Sequence, residues 1–322
     1  MKGRFAPSPT GYIHLGNVWI ALLSYISTRQ QKGTYVVRME DIDLQRSKRE
    51  LGEALLDDLE WLGFEWDEGP RIGGTESTYW QSERQDYYAN ILECLALEKL
   101  IYPCFCNRAR LQSIASAPHV GDIVHRYDGH CRYLDEEKVK LLLDEKNPSL
   151  RLSIDSCDIE FIDRWQGVQH IHLEGELDDY VLRRGDGMYA YNLAVVLDDI
   201  AMGITEVIRG DDLLDTTGQQ IYLYKTLQQC LHSKDIMVPS YGHAPLLIDS
   251  EGHRLSKRQK SITVRELRDN QWSANRILGE LAIAGGLVKA DTLNNREISI
   301  SELIEIDLNL PSLSQKTIEI KI

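Results

Sequence analysis

The chain has 322 residues, 43% of them hydrophobic, and a formal net charge of −14 at pH 7, enough for about two packed globular domains. No apolar run reaches the roughly 20 residues that span a bilayer, and the acidic balance argues against a chain coated in nucleic acid while leaving room for a local basic track. The opening MKGRFAPSPTG lacks the apolar core of a secretory signal, so a cytoplasmic location is expected, with the six cysteines as thiols or metal ligands rather than a disulfide framework.

Residues 3–6 predict a short strand. Residues 18–31 predict a helix, with Val18, Trp19, Leu22, Leu23 and Ile26 at helical spacing, Asn17 as N-cap and Gly33 as stop. TYVVRMEDID predicts a buried strand that runs into acids. Ser47 and Glu50 have the form of a capping box before LGEALLDDLEWLGF, and another helix is expected over 82–100. This β-α-β-α order implies a parallel sheet with helices on its faces. From about 101 the texture changes to turns rich in Cys, His and Arg, followed by alternating residues over 150–175 that predict antiparallel strands, as in an inserted module. MYAYNLAVVLDDI resumes α/β character near 188. TEVIRG is strand-like, a helix follows Thr217, and after about 247 come a basic loop and mostly helical periodicity.

Two stretches point to phosphate. In FAPSPTGYIHLGN a rigid bend delivers the chain to a helix N-terminus, where unpaired N–H groups and the helix dipole attract anions. Gly16 removes a Cβ from that approach, His14 can donate into it, and Pro7 and Pro9 stiffen it. Read alone, the stretch is equally an ordinary strand-to-helix turn. Some 240 residues later, HRLSKRQK gathers cations that suit a leaving pyrophosphate, or merely a solvated surface. Cys104, Cys106 and Cys131 lie together in the turn-rich region, as three buried thiols or as ligands of a tetrahedral zinc; by chemistry alone the fourth ligand would be His125 or His130. Cys94, Cys157 and Cys230 are solitary and read as core residues.

RFAPSPTGYIHLGN resembles the opening of the glutamyl class of class I aminoacyl-tRNA synthetases. His14-Leu15-Gly16-Asn17 stands where that class has its HIGH signature, and Arg254-Leu255-Ser256-Lys257-Arg258 where it has its KMSKS loop. Asn17 replaces the second histidine, donating without charge, and Arg254 stands where lysine is frequent. The resemblance implies ATP with magnesium as substrate, catalytic roles for His14, Asn17 and Lys257, and an ATP site of Pro7, Gly11, His14, Gly16, Asn17, Arg254, Ser256 and Lys257. It implies a glutamate site of Arg4, Phe5, Ala6, Pro7, Ser8, Glu40, Tyr191 and Arg209. Arginines suit the carboxylate, and Glu40 suits the α-ammonium. Some short members carry C-x-C…Y-x3-C, which implies one structural zinc on Cys104, Cys106, Tyr127 and Cys131.

Only 65 residues follow Lys257, where longer members continue into an anticodon-binding region. That implies the short branch of the class. Its members form glutamyl-adenylate without tRNA and pass the glutamate to queuosine in the anticodon loop of tRNA(Asp). A monomer with no membrane partner is expected; a shortened glutamyl-tRNA synthetase and a non-catalytic RNA-binding relative are the alternatives. The implied fold is α/β, a Rossmann-like parallel sheet. Its catalytic halves would span 1–100 and 186–246, its zinc-bearing inserted module 101–185, and the loop and short helical extension 247–322.

Overall fold

The computed structural model describes residues 1–107, 109–111, 127–255 and 262–321. The first strand, β1 (Lys2–Phe5), leads into α1 (Leu15–Gln30), and β2 (Thr34–Val37) returns parallel to β1 with Arg4 opposite Val36. Helices α2 (Arg49–Trp61) and α3 (Gln85–Leu97) follow, then β3 (Ile101–Cys104), α4 (Glu136–Glu145), β4 (Ser149–Leu152), β5 (Cys157–Asp163), β6 (Gly167–Leu173) and β7 (Val181–Arg183). The α/β pattern resumes with α5 (Tyr191–Ala201), β8 (Glu206–Gly210), α6 (Thr217–Cys230), β9 (Ser240–Ala244) and β10 (Leu246–Ile248). Short helices α7 (Val264–Asp269), α8 (Ala274–Ala284) and α9 (Ile300–Leu303) precede β11 (Thr317–Glu319).

The main sheet has six strands in the order β2-β1-β8-β9-β5-β6. All neighbours are parallel except β5 and β6. Alternation along each strand feeds two cores. Tyr35, Val37 and Ile208 face a core with α1, α2 and the C-terminal helices, while Val36, Val207 and Tyr241 face a core with α3, α5 and α6. Among the described residues, no helix is long and apolar enough to cross a membrane.

Several local expectations shift. Helix α1 starts at Leu15, so its N-cap is His14 rather than Asn17. At its far end Lys32 takes the left-handed conformation, with φ 51°, and Gly33 is needed because a Cβ there would lie 2.8 Å from the Met1 carbonyl. Ser47 forms no capping box. The N-cap of α2 is Lys48, and the Ser47 N–H donates to the Asp43 carbonyl. Capping boxes form instead at Thr263–Glu266 and Ser299–Glu302. The antiparallel pair expected over 150–175 exists as β5 and β6. It extends the main sheet, because Asp163 of β5 pairs with Tyr241 of β9, whereas β3, β4 and β7 make a separate small sheet. Cys94, Cys157 and Cys230 are only partly buried, Cys157 and Cys230 packing against the second core. The last described residues hold a strand, with β11 lying parallel to β10.

Candidate active site

Two cavities open at the C-terminal ends of β1, β2 and β8, where open α/β sheets hold ligands. The first, of about 390 Å³, is lined by His14, Gly16 and Asn17 from the start of α1, by Gly210 and Asp212 after β8, and by Arg254 and Leu255. The second, of about 310 Å³, is lined by Arg4, Phe5, Ala6, Pro7, Ser8, Glu40, Tyr191 and Arg209. Asn17, Ile20 and Gly210 line both, so the two adjoin. Gly210 sits at the junction; a Cβ there would fall 2.5 Å from Asp212 Oδ1 and 2.9 Å from Leu246 Cδ2.

The distant basic segment reaches the first cavity from both flanks. On one side the Leu255 N–H donates to the Leu247 carbonyl, and the Leu255 carbonyl approaches to 3.4 Å of where a Gly16 Cβ would stand. On the other side Thr263 bridges to His14, the Val264 N–H donating to Ile13. Arg254 is held at the cavity by Asp212, at 3.0 Å. Ser256 and Lys257 lie outside the described residues, as does His125. Pro7 falls in the second cavity rather than the first, and Gly11 lines neither.

Backbone bonds that continue past β1 and β2 fix the second cavity. The Arg38 N–H donates to the Phe5 carbonyl, and the Glu40 N–H to the Pro7 carbonyl. Glu40 is thereby set beside Pro7 and Ser8 and is 8% exposed. Burial raises its carboxyl above the usual range, even though the Arg38 and Arg4 guanidiniums oppose the shift. Behind it lies a charge cluster that sequence reasoning missed. Arg38 is fully buried and meets Asp199 at 2.8 Å, Glu40 at 3.3 Å and Asp198 at 3.7 Å. Burial works against its charge, but those carboxylates outweigh it and hold the guanidinium ionised. Arg4 meets Asp199 at 3.5 Å, and Arg84 meets Asp198 at 2.7 Å.

Arg209 differs from these arginines. It is 4% exposed, yet among the described residues its hydrogen-bond partners are uncharged. Its Nε donates to His243 Nε2 at 2.9 Å, its Nη1 to Gln220 Oε1 at 2.7 Å, and its Nη2 to Thr217 Oγ1 at 2.8 Å and the Leu213 carbonyl at 3.3 Å. A buried cation whose charge is left uncompensated at a cavity wall is a seat for a ligand carboxylate. Tyr191 stands at the mouth, 37% exposed. A third cavity, of about 240 Å³, adjoins through Ser8, Glu40 and Tyr191 and adds Asp43, Arg46 and Gln81. Arg46, which also lines the first cavity, is a site residue the sequence did not single out.

The cysteine cluster forms outside these cavities, beside the β3-β4-β7 sheet. The Sγ atoms of Cys104, Cys106 and Cys131 lie within 4.8 Å of one another. Cys106 and Cys131 are 3.7 Å apart, and Cys104 Sγ is 3.6 Å from the Tyr127 hydroxyl. A tetrahedral zinc with Zn–S near 2.3 Å and Zn–O near 2.0 Å separates its sulfurs by about 3.8 Å and sulfur from oxygen by about 3.5 Å. The donor set therefore fits such an ion. Burial and the neighbouring thiols push Cys106 up to about 12, whereas Cys104, although its burial opposes this, is held below the ordinary thiol range by the Arg151 guanidinium and nearby hydrogen bonds. His130 does not belong to the cluster.

The family of class I tRNA synthetases (E and Q), catalytic domain, matches residues 1–311. The chain is 44% identical over 289 residues to a Glutamyl-Q tRNA(Asp) synthetase of Nitratidesulfovibrio vulgaris, covering 89% of this chain and 87% of that one. It is 44% identical over 288 residues to the protein of the same name from Symbiobacterium thermophilum, with the same coverage. A crystal structure of a glutamate tRNA ligase from Elizabethkingia meningosepticum, in complex with its amino acid, superposes with a TM-score of 0.80 at 29% identity, over 100% of this chain and 67% of that chain. The mostly parallel sheet matches the catalytic core of such enzymes. By the family match over nearly its whole length and the identity to these relatives, the chain belongs to the class I tRNA synthetases of the glutamyl and glutaminyl type, and it is a ligase.

Proposed function

We propose that this chain activates L-glutamate with ATP in the absence of tRNA and transfers it to queuosine in the anticodon loop of tRNA(Asp). The observation that carries the reading is the pair of adjoining cavities, one at the start of α1 and the other holding an uncompensated buried arginine opposite a buried carboxylate. ATP with magnesium occupies the first, its phosphates against the N–H of Gly16, the side chain of Asn17, His14 and Arg254. Lys257, two residues beyond Leu255 in the chain, supplies the cation for the leaving pyrophosphate. Glutamate occupies the second, its side-chain carboxylate on Arg209 and its α-ammonium on Glu40. Its α-carboxylate attacks the α-phosphorus, pyrophosphate leaves, and a queuosine hydroxyl then attacks the mixed anhydride with release of AMP. The third cavity leaves room for the accepting nucleoside beside Ser8 and Tyr191.

The test is exchange of labelled pyrophosphate into ATP, with glutamate and no RNA, followed by transfer of labelled glutamate to tRNA(Asp) bearing queuosine. Exchange without RNA and label on the anticodon loop support the reading. Transfer to a 3′ terminus instead would replace it with that of a shortened glutamyl-tRNA synthetase.

The pH profile carries a second expectation. The ammonium needs Glu40 ionised, and its carboxyl is raised, so the KM for glutamate should climb as pH falls through a range above that of ordinary carboxylates. A KM flat down to the ordinary range would remove Glu40 from ammonium binding.

The same proposal includes one structural zinc on Cys104, Cys106, Tyr127 and Cys131, which ties β3 to the turn before α4. Purified protein should hold about one zinc per chain. Cys104→Ser and Cys106→Ser should lose most of it, and Tyr127→Phe should weaken it, as metal analysis after dialysis would read. Unchanged zinc in Cys104→Ser would take that residue out of the ligand set.

A further inference from the structure

We infer that Gln220 sets the preference of the pocket for a carboxylate over a carboxamide by holding Arg209 without neutralising it. The inference rests on the reading that Arg209 receives the substrate side-chain carboxylate. An arginine buried beside an acid spends its charge on that acid and meets a ligand as a plain hydrogen-bond donor. Here the chain could have placed an acid at Gln220, which is 2% exposed and accepts from Arg209 Nη1 through its side-chain oxygen. The amide is fixed in that sense, because its Nε2 donates to Asn192 Oδ1 at 3.0 Å.

The other contacts follow the same rule. His243 Nε2 accepts from Arg209 Nε, which can only donate, so the ring proton sits on Nδ1 and is given to Asp163 Oδ2 at 2.6 Å. Burial holds His243 below the ordinary imidazole range against the pull of Asp163, so the ring stays neutral. Asp163, the acid bonded to His243, thus reaches Arg209 only through a neutral ring. A glutamine substrate, lacking charge, gains little from such a cation, whereas glutamate gains its full attraction.

The test compares glutamate with glutamine in pyrophosphate exchange. Gln220→Glu keeps size and acceptor but adds the compensating charge. It should raise the KM for glutamate, leave that for glutamine nearly unchanged, and cut the glutamate-over-glutamine preference at least tenfold. Gln220→Met removes the acceptor without adding charge; it should raise the KM for glutamate while keeping the preference. A merely structural role would make Gln220→Glu weaken both substrates alike, with the ratio intact, and that result overturns the inference. Should Gln220→Glu not fold, Thr217→Asp brings an acid to Nη2 of the same guanidinium, and the same ratio decides. Wild-type protein that exchanges with neither amino acid would defeat the activation reading itself, and the inference with it. Wild-type exchange with an unmoved ratio defeats the inference alone.

Discussion

Arg209→Leu is expected to raise the KM for glutamate by about 10²–10³-fold in pyrophosphate exchange, with a much smaller change in the KM for ATP. Hydrogen bonds to charged groups are worth about 1.5–3 kcal/mol, and a substrate carboxylate brought into the pocket without its cation bears a further desolvation cost. The ATP cavity does not include Arg209. Lysine at this position keeps the charge but not the planar fork that engages His243, Gln220 and Thr217 together, so Arg209→Lys should fall between wild type and leucine. The leucine variant also leaves Gln220 Oε1 and His243 Nε2 without their donor, so a thermal melt must accompany the kinetics. A KM for glutamate within threefold of wild type in folded Arg209→Leu protein would show that the carboxylate sits elsewhere.

Arg38→Met is expected to cost about 3–5 kcal/mol of stability. Removing one member of a buried charge cluster leaves its partners uncompensated in low dielectric. Arg38 is fully buried and serves Asp198, Asp199 and Glu40, and methionine fills its space without a charge. The melting temperature should drop by on the order of 10 °C. Glutamate binding should weaken too, because Glu40 loses its nearest cation and protonates at still higher pH. A melting temperature unchanged from wild type would mean that these carboxylates do not depend on Arg38.

How much of this was legible in the sequence follows from range. The cradle was, because its bend, glycine and histidine act within a dozen residues of one another. The amino-acid pocket was assembled by resemblance. Arg4, Glu40, Tyr191 and Arg209 are far apart in the chain, and nothing local says that they line one cavity, yet they do. The cluster beneath them was invisible for a different reason. Arg38 in a β-branched strand and Asp198-Asp199 at the end of an apolar helix do not show their partners locally, and only their pairing across the sheet makes burial tolerable. An acid pair closing so apolar a run as YNLAVVLDDI was the available signal.

Long-range pairing also hid the place of β5 and β6. Their alternation gives an antiparallel hairpin, but periodicity carries no information about which sheet edge receives it. Ser47 shows the converse limit. A capping box has the right spacing there, but the Asp43 carbonyl takes the Ser47 N–H, and the helix begins beyond it. Thr263 and Ser299, with the same spacing, do cap, because their N–H groups go to the side chains of Glu266 and Glu302.

The central claim is that the two adjoining cavities hold one glutamyl-adenylate. Its most direct measurement is a crystal structure with a non-hydrolysable analogue of that intermediate. The account expects the adenosine and phosphate-side linkage against His14, Gly16 and Leu255, and the glutamyl carboxylate within hydrogen-bond distance of Arg209. An analogue bound with its glutamyl group away from Arg209, or seated outside both cavities, would contradict it.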